Sequence, residues 1–101
     1  MTRIKPWAGP AAQQALAQVK RQGARLNTPC CICRRPIDYT LPSRNPRGCT
    51  VQHIRSRLHH PELTWVSTNW APAHATCNYQ WGERDLPDPG AKLAVNATSG
   101  W

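Results

Sequence analysis

Four residues limit what this chain can fold into: the pair Cys30-x-x-Cys33 and, far downstream, the pair His74-x-x-Cys77. Two soft donors with two residues between them sit on one tight turn. Two such turns supply the four corners of a tetrahedral zinc site. A Cys3His site built this way closes the whole intervening segment into a loop, so metal binding acts as folding energy. Cys31 competes with Cys30 for the first corner, but Cys31-x-Cys33 is too tight for the usual turn. The chain has five cysteines, three of them within four positions. An odd, crowded set suits reduced thiols and a metal better than a disulfide framework. The alternative is a set of buried thiols with a surface histidine. Cys49 shares strand parity with His53 and reads as a small core residue rather than a ligand.

At 101 residues the chain makes one modest domain, a size at which a metal commonly supplements a small core. The net charge of +8 is unevenly spread. Residues 1–60 hold eleven Lys/Arg and one acid, Asp38, whereas residues 61–101 hold two basic residues and four acids. So little interspersed acid favours a polyanionic partner, and nucleic acid is expected over a merely basic soluble protein. No apolar run approaches the ~20 residues of a membrane span, and the N-terminus lacks the apolar core of a signal peptide. The expectation is a cytoplasmic protein without a membrane partner.

Residues 1–9 read as a loose basic arm. Pro10 to Arg21 reads as a helix with Pro10 in its first turn and Gly23 as its stop. Lys20, Arg21 and Arg25 bring it near a nucleic acid, or it is a plain packing helix. Thr28 to Asp38 carries the first Cys pair on a tight turn, and Tyr39 to Gly48 is loop. Cys49-Thr-Val-Gln-His-Ile is a run of strand formers, and Thr64-Trp65-Val66 is a second strand candidate. Ala73 to Trp81 is compatible with a helix that Gly82 ends, and Glu83 onward reads as an extended tail. These elements divide the chain into a basic arm and helix (1–28), a zinc-stapled domain (29–82) and a tail (83–101).

A lone His near a strand end is more often structural than catalytic. His53 has company: Asn69 and Asn78 downstream, with Arg55 and Arg57 close behind it. Val51-Gln-His-Ile-Arg-Ser-Arg followed by Thr68-Asn-Trp-Ala-Pro-Ala-His-Ala-Thr-Cys-Asn resembles the His-Asn-His (HNH) nuclease motif. Pro29-Cys-Cys-Ile-Cys-Arg-Arg-Pro-Ile-Asp-Tyr resembles the zinc knuckle that precedes it in small HNH proteins of tailed phages. The resemblance runs from about Pro29 to Gly82. It implies an α+β fold, a small zinc-stapled ββα-metal domain. Here it would be preceded by the N-terminal helix and followed by the extended tail.

Carried over to this sequence, the resemblance implies His53 as the general base that takes a proton from the attacking water. Asn69 matches the residue that orients that base. Asn78 and Gln52 match the positions that hold a catalytic divalent ion, and Cys30, Cys33, His74 and Cys77 match a structural Zn2+ site. The family usually has Asp where this chain has Gln52. A neutral carbonyl is a weaker ligand for Mg2+ than a carboxylate, which implies reduced activity or a shift toward Mn2+ or Ni2+. His59 and His60 are candidate substitutes, though a solvated loop is the plainer reading of both. The implied partners are DNA and, from the phage resemblance, terminase or other packaging proteins. Arg55 and Arg57 are placed at the phosphodiester, and Arg34, Arg35, Arg44 and Arg47 extend the cationic face or are solvated charges. Trp65 and Trp70 are expected to fill the core, and Trp81 to pack at the helix end. The implied activity is hydrolysis of DNA phosphodiesters to a 5′-phosphate and a 3′-hydroxyl. The alternative is a weakly active or inactive DNA-binding zinc module of the same fold, acting as a partner of phage packaging machinery.

Overall fold

The structure, a computed structural model, describes residues 4–87. It is a small α+β unit in the order α1 (Gly9–Leu26), β1 (Cys49–His53), β2 (Trp70–His74) and α2 (Ala75–Trp81), with two short 3-10 turns at Pro61–Leu63 and Ser67–Asn69. The strands pair antiparallel, from Cys49 opposite His74 to His53 opposite Trp70. Both helices pack on this hairpin. Among the described residues no helix is long and apolar enough to cross a membrane.

Helix α1 buries Ala15, Val19 and Gly23, one residue per turn along a single stripe. It runs past Gly23, the expected stop, and ends where Asn27 takes a left-handed conformation and returns its N–H to the Gly23 carbonyl. Gly23 is inside the helix because of the neighbour it meets: a Cβ there would collide with the Tyr39 ring. The same ring's hydroxyl donates to the Thr28 carbonyl, fixing the chain as it leaves the helix.

The second strand is not Thr64-Trp65-Val66, which turns between the two 3-10 segments. Trp70–His74 takes that place despite Pro72. The Pro72 carbonyl points outward and accepts from the Cys31 N–H at 3.0 Å. Its missing N–H therefore falls on the same outer side, and the ladder to β1 loses nothing. The expected α2 start at Ala73 shifts to Ala75, because Ala73 and His74 complete the strand. Gly82, at φ 72°, ends the helix as expected.

Val19, Cys30, Ile37, Cys49 and Ala73 form the core, with Leu16, Tyr39, Val51 and Trp70 packed around them. Cys30 and Cys49 are the largest side chains that are fully buried. Lys5 to Ala8 are not loose: the Trp65 indole N–H donates to the Lys5 carbonyl at 2.8 Å, and Trp7 stacks on Trp65. Past α2, Leu86 N–H bonds the Ile54 carbonyl, tying residues 84–87 back to the loop after β1. The tail beyond Pro87 lies outside the described residues.

Gly23→Ala should destabilise the protein by about 1–3 kcal/mol, since the clash with Tyr39 outweighs the ~1 kcal/mol helix-propensity gain of Ala over Gly. Urea denaturation measures this, and a stabilised variant would contradict the close contact.

Candidate functional site

The donors of Cys30, Cys33, His74 and Cys77 lie within 4.8 Å of one another. The backbone brings them there in two pieces. The turn after Cys30 is closed by bonds from Arg34 N–H to the Cys30 carbonyl and from Cys30 N–H to the Arg35 carbonyl, with Arg34 at φ 68°. The end of β2 and first turn of α2 bring His74 and Cys77 opposite. His74 Nε2 is 3.0 Å from the Pro36 carbonyl, an acceptor, so Nε2 carries the proton and Nδ1 keeps its lone pair. That Nδ1 lies 3.3 Å from Cys33 Sγ and 3.8 Å from Cys77 Sγ. Zinc with bonds of ~2.3 Å to sulfur and ~2.0 Å to nitrogen fits such spacing, and a carbonyl behind the histidine is the usual support for a ligating ring.

Electrostatics argue for a cation at the same point. Burial opposes a Cys30 thiolate, but N–H donors from Cys33, His74 and Ile32 outweigh it and hold this thiol below its ordinary range. Burial and the adjacent Cys33 and Cys30 sulfurs push the Cys77 thiol up. Several sulfurs compete for one negative charge, and a bound dication removes that conflict. The four residues are thus close enough to bind a metal, consistent with structural zinc. Cys31 stands outside the group, with burial and the Cys30 charge raising it to about 12, which resolves the competition for the first corner. Cys49 is fully buried in the core, as its strand parity implied.

His53 sits at the other end of the hairpin, 7 % exposed, on the wall of a cavity of about 630 Å³ that Gln52, Arg57 and Asn78 also line. Its Nε2 lies 2.9 Å from the Thr64 carbonyl, which also accepts from the Trp70 indole N–H at 3.0 Å. A carbonyl only accepts, so Nε2 bears the ring proton and Nδ1 the lone pair. Among the described residues Nδ1 has no hydrogen-bond partner, and it is not sealed from solvent. Burial lowers the ring's proton affinity; the Thr64 bond works against this and the Arg57 charge adds to it. Trp7 presents its ring edge-on to His53 at 4.4 Å. Nothing local in the sequence announces this contact, since residues 7 and 53 meet only through the tertiary fold.

Asn69 does not line that cavity. Its Oδ1 accepts from Arg55 N–H at 2.8 Å, and its Nδ2 donates to the Arg55 and Leu63 carbonyls. It braces the loop that follows His53, and its side chain makes none of these hydrogen bonds to the ring. Arg55 pairs with Asp85 at 3.6 Å and lies outside the cavity wall, while Arg57 is on it. His60 is held by Asp85 at 3.2 Å. Arg35 and Arg47 line a separate cleft beside His74 and Cys77. Trp70 packs on the core as expected, yet with Trp65 it also surrounds Trp7. Trp81 closes the end of α2 beneath the Arg84 guanidinium, 4.0 Å away.

Two amide side chains of the cavity are chemically suited to a hard cation. Gln52 is 4 % exposed; its Nε2 donates to the His53 carbonyl, and its buried Oε1 has no partner among the described residues. Asn78 Nδ2 donates to Thr50 Oγ1 and the Val51 carbonyl, which leaves Oδ1 without a partner among the described residues. An orphaned buried carbonyl oxygen costs about 1–3 kcal/mol, and a cation relieves that cost.

Purified protein should contain one zinc per chain. Chelation or Cys33→Ala should lower the melting temperature by roughly 20 °C, since ~1 kcal/mol corresponds to ~4–8 °C at this size and a structural zinc contributes several kcal/mol. Elemental analysis with thermal denaturation checks both. Asn69→Ala strands the Arg55 and Leu63 backbone groups and should cost about 2–3 kcal/mol in urea denaturation. Comparison with protein-family models, curated proteins and solved structures finds no match to this chain.

Proposed function

We propose that the protein is a metal-dependent DNA endonuclease or nickase of the HNH type, with His53 as general base. The observation that carries this reading is the state of one ring: its Nε2 is tied to the Thr64 carbonyl, and its Nδ1 lone pair is without a partner beside the cavity. A neutral imidazole held this way accepts a proton from a water placed against a phosphodiester. Arg57, exposed on the same cavity wall, neutralises phosphate oxygens. Asn69 is a positioning residue that keeps the following loop, and so the ring, in register. The side-chain oxygens of Gln52 and Asn78 would hold a divalent ion such as Mg2+, Mn2+ or Ni2+. When bound, that ion would supply charge neutralisation at the scissile phosphate and the leaving 3′ oxygen. The products would be a 5′-phosphate and a 3′-hydroxyl. Further partners in this reading are phage terminase or packaging proteins in the host cytoplasm.

One observation favours a second reading. Both amide ligands are neutral, which weakens any Mg2+ site they form alone. A DNA-binding zinc module of the same fold that does not cut is the consequence if that weakness is decisive. Binding that weakens steeply with salt, without nicking under any ion, selects it.

Supercoiled plasmid incubated with Mg2+, Mn2+ or Ni2+ should be nicked, and His53→Ala should slow nicking by about 10²–10⁴-fold. The base works when unprotonated, and burial lowers His53 from its ordinary value of 6.5. The midpoint of the acid-side fall in the His53-dependent rate should therefore lie below pH 6.5. Equal inertness of both proteins with every ion removes the enzyme reading.

A further inference from the structure

Glu83 stands directly after the glycine that ends α2, and it lines the same cavity as Gln52, His53 and Asn78. Among the described residues it is the single acidic one on that wall. Among the described residues it makes no hydrogen bond and no ion pair, although its charge reaches the His53 ring. Asp85, two positions on, is the opposite case: it accepts from Ser56 N–H at 2.7 Å and is engaged by His60 and Arg55.

The backbone around Glu83 is held on both sides. Gly82 N–H bonds the Asn78 carbonyl, so the segment leaves from the turn of helix that carries Asn78. Asp85 and Leu86 then fasten it to Ser56 and Ile54, in the loop that follows His53. The Glu83 backbone is thereby stationed between the element that carries Asn78 and the one that carries Gln52 and His53, and among the described residues its carboxylate is unengaged. Independently, the Gln52 Oε1 atom is buried and has no hydrogen-bond partner among the described residues.

Resting on the nuclease reading, we infer that Glu83 supplies the anionic ligand of a divalent-cation site completed by the side-chain oxygens of Gln52 and Asn78. Oxygen-preferring ions such as Mg2+ and Mn2+ take carboxylate, amide carbonyl and water together, and affinity rises with ligand charge. Position 52 holds a neutral residue here, and the charge enters from beyond the helix instead.

The test is Mn2+ binding to the zinc-loaded full chain without DNA, read by electron paramagnetic resonance and calorimetry. Wild type should bind one Mn2+ in addition to its zinc. Glu83→Gln should weaken that binding by about tenfold or more, with zinc content and melting temperature unchanged, because affinity follows ligand charge. Glu62→Gln, which alters an acid outside the cavity, should bind Mn2+ as wild type does. Wild-type affinity in Glu83→Gln, or no Mn2+ bound by wild type at millimolar concentration, overturns the inference. Mn2+ bound through Glu83 without any nicking keeps this site and removes the nuclease reading. His53-dependent nicking that survives Glu83→Gln unchanged does the reverse.

Discussion

The rest of the structure depends on four donor atoms meeting across a sequence separation of more than forty residues. The apolar core cannot do that work alone. Among the described residues its fully buried members are two cysteines and an alanine, and no leucine, isoleucine or tryptophan is completely enclosed. Closing a loop of this length costs several kcal/mol of chain entropy, and such a core returns little against it. A metal bound by Cys30, Cys33, His74 and Cys77 would tie the turn before β1 to the junction of β2 and α2. The N–H groups of Ile32 and His74, aimed at Cys30 Sγ, prepare the cage for a charged sulfur.

That cage and the His53 cavity are two ends of one hairpin. His74 lies opposite Cys49 at the first pair of the ladder, and Trp70 lies opposite His53 at the last. Five residues of strand, roughly 13–17 Å, separate the ends. The register of the ladder therefore links the metal cage to the place where the His53 ring stands. A one-residue slip would disrupt both ends together, because it turns every side chain to the other face.

Much of this was legible in the sequence, and the misses have physical causes. The two-residue spacing of the ligand pairs is a local signature, and Cys49 to His53 carries strand formers at the right parity. The partner strand was hidden because Trp-Ala-Pro-Ala-His has low strand propensity, and only the tertiary fold puts Pro72 on an outer edge. Thr64-Trp65-Val66 has the propensity but is spent on holding His53 and the N-terminal arm. Gly23 looked like a stop because a close approach by Tyr39 leaves no mark near position 23. Trp7 beside His53 and Glu83 on the cavity wall are contacts between distant segments, beyond the reach of local pattern.

The Thr64 carbonyl serves the His53 ring and the Trp70 indole at once. Were the imidazole to rotate end for end, its proton would leave that oxygen and the indole would keep it. Protonation of the neutral ring is thus confined to a single doorway, the nitrogen that has no hydrogen-bond partner among the described residues. A backbone carbonyl at the end of a short 3-10 turn acts as the latch that gives the ring its polarity.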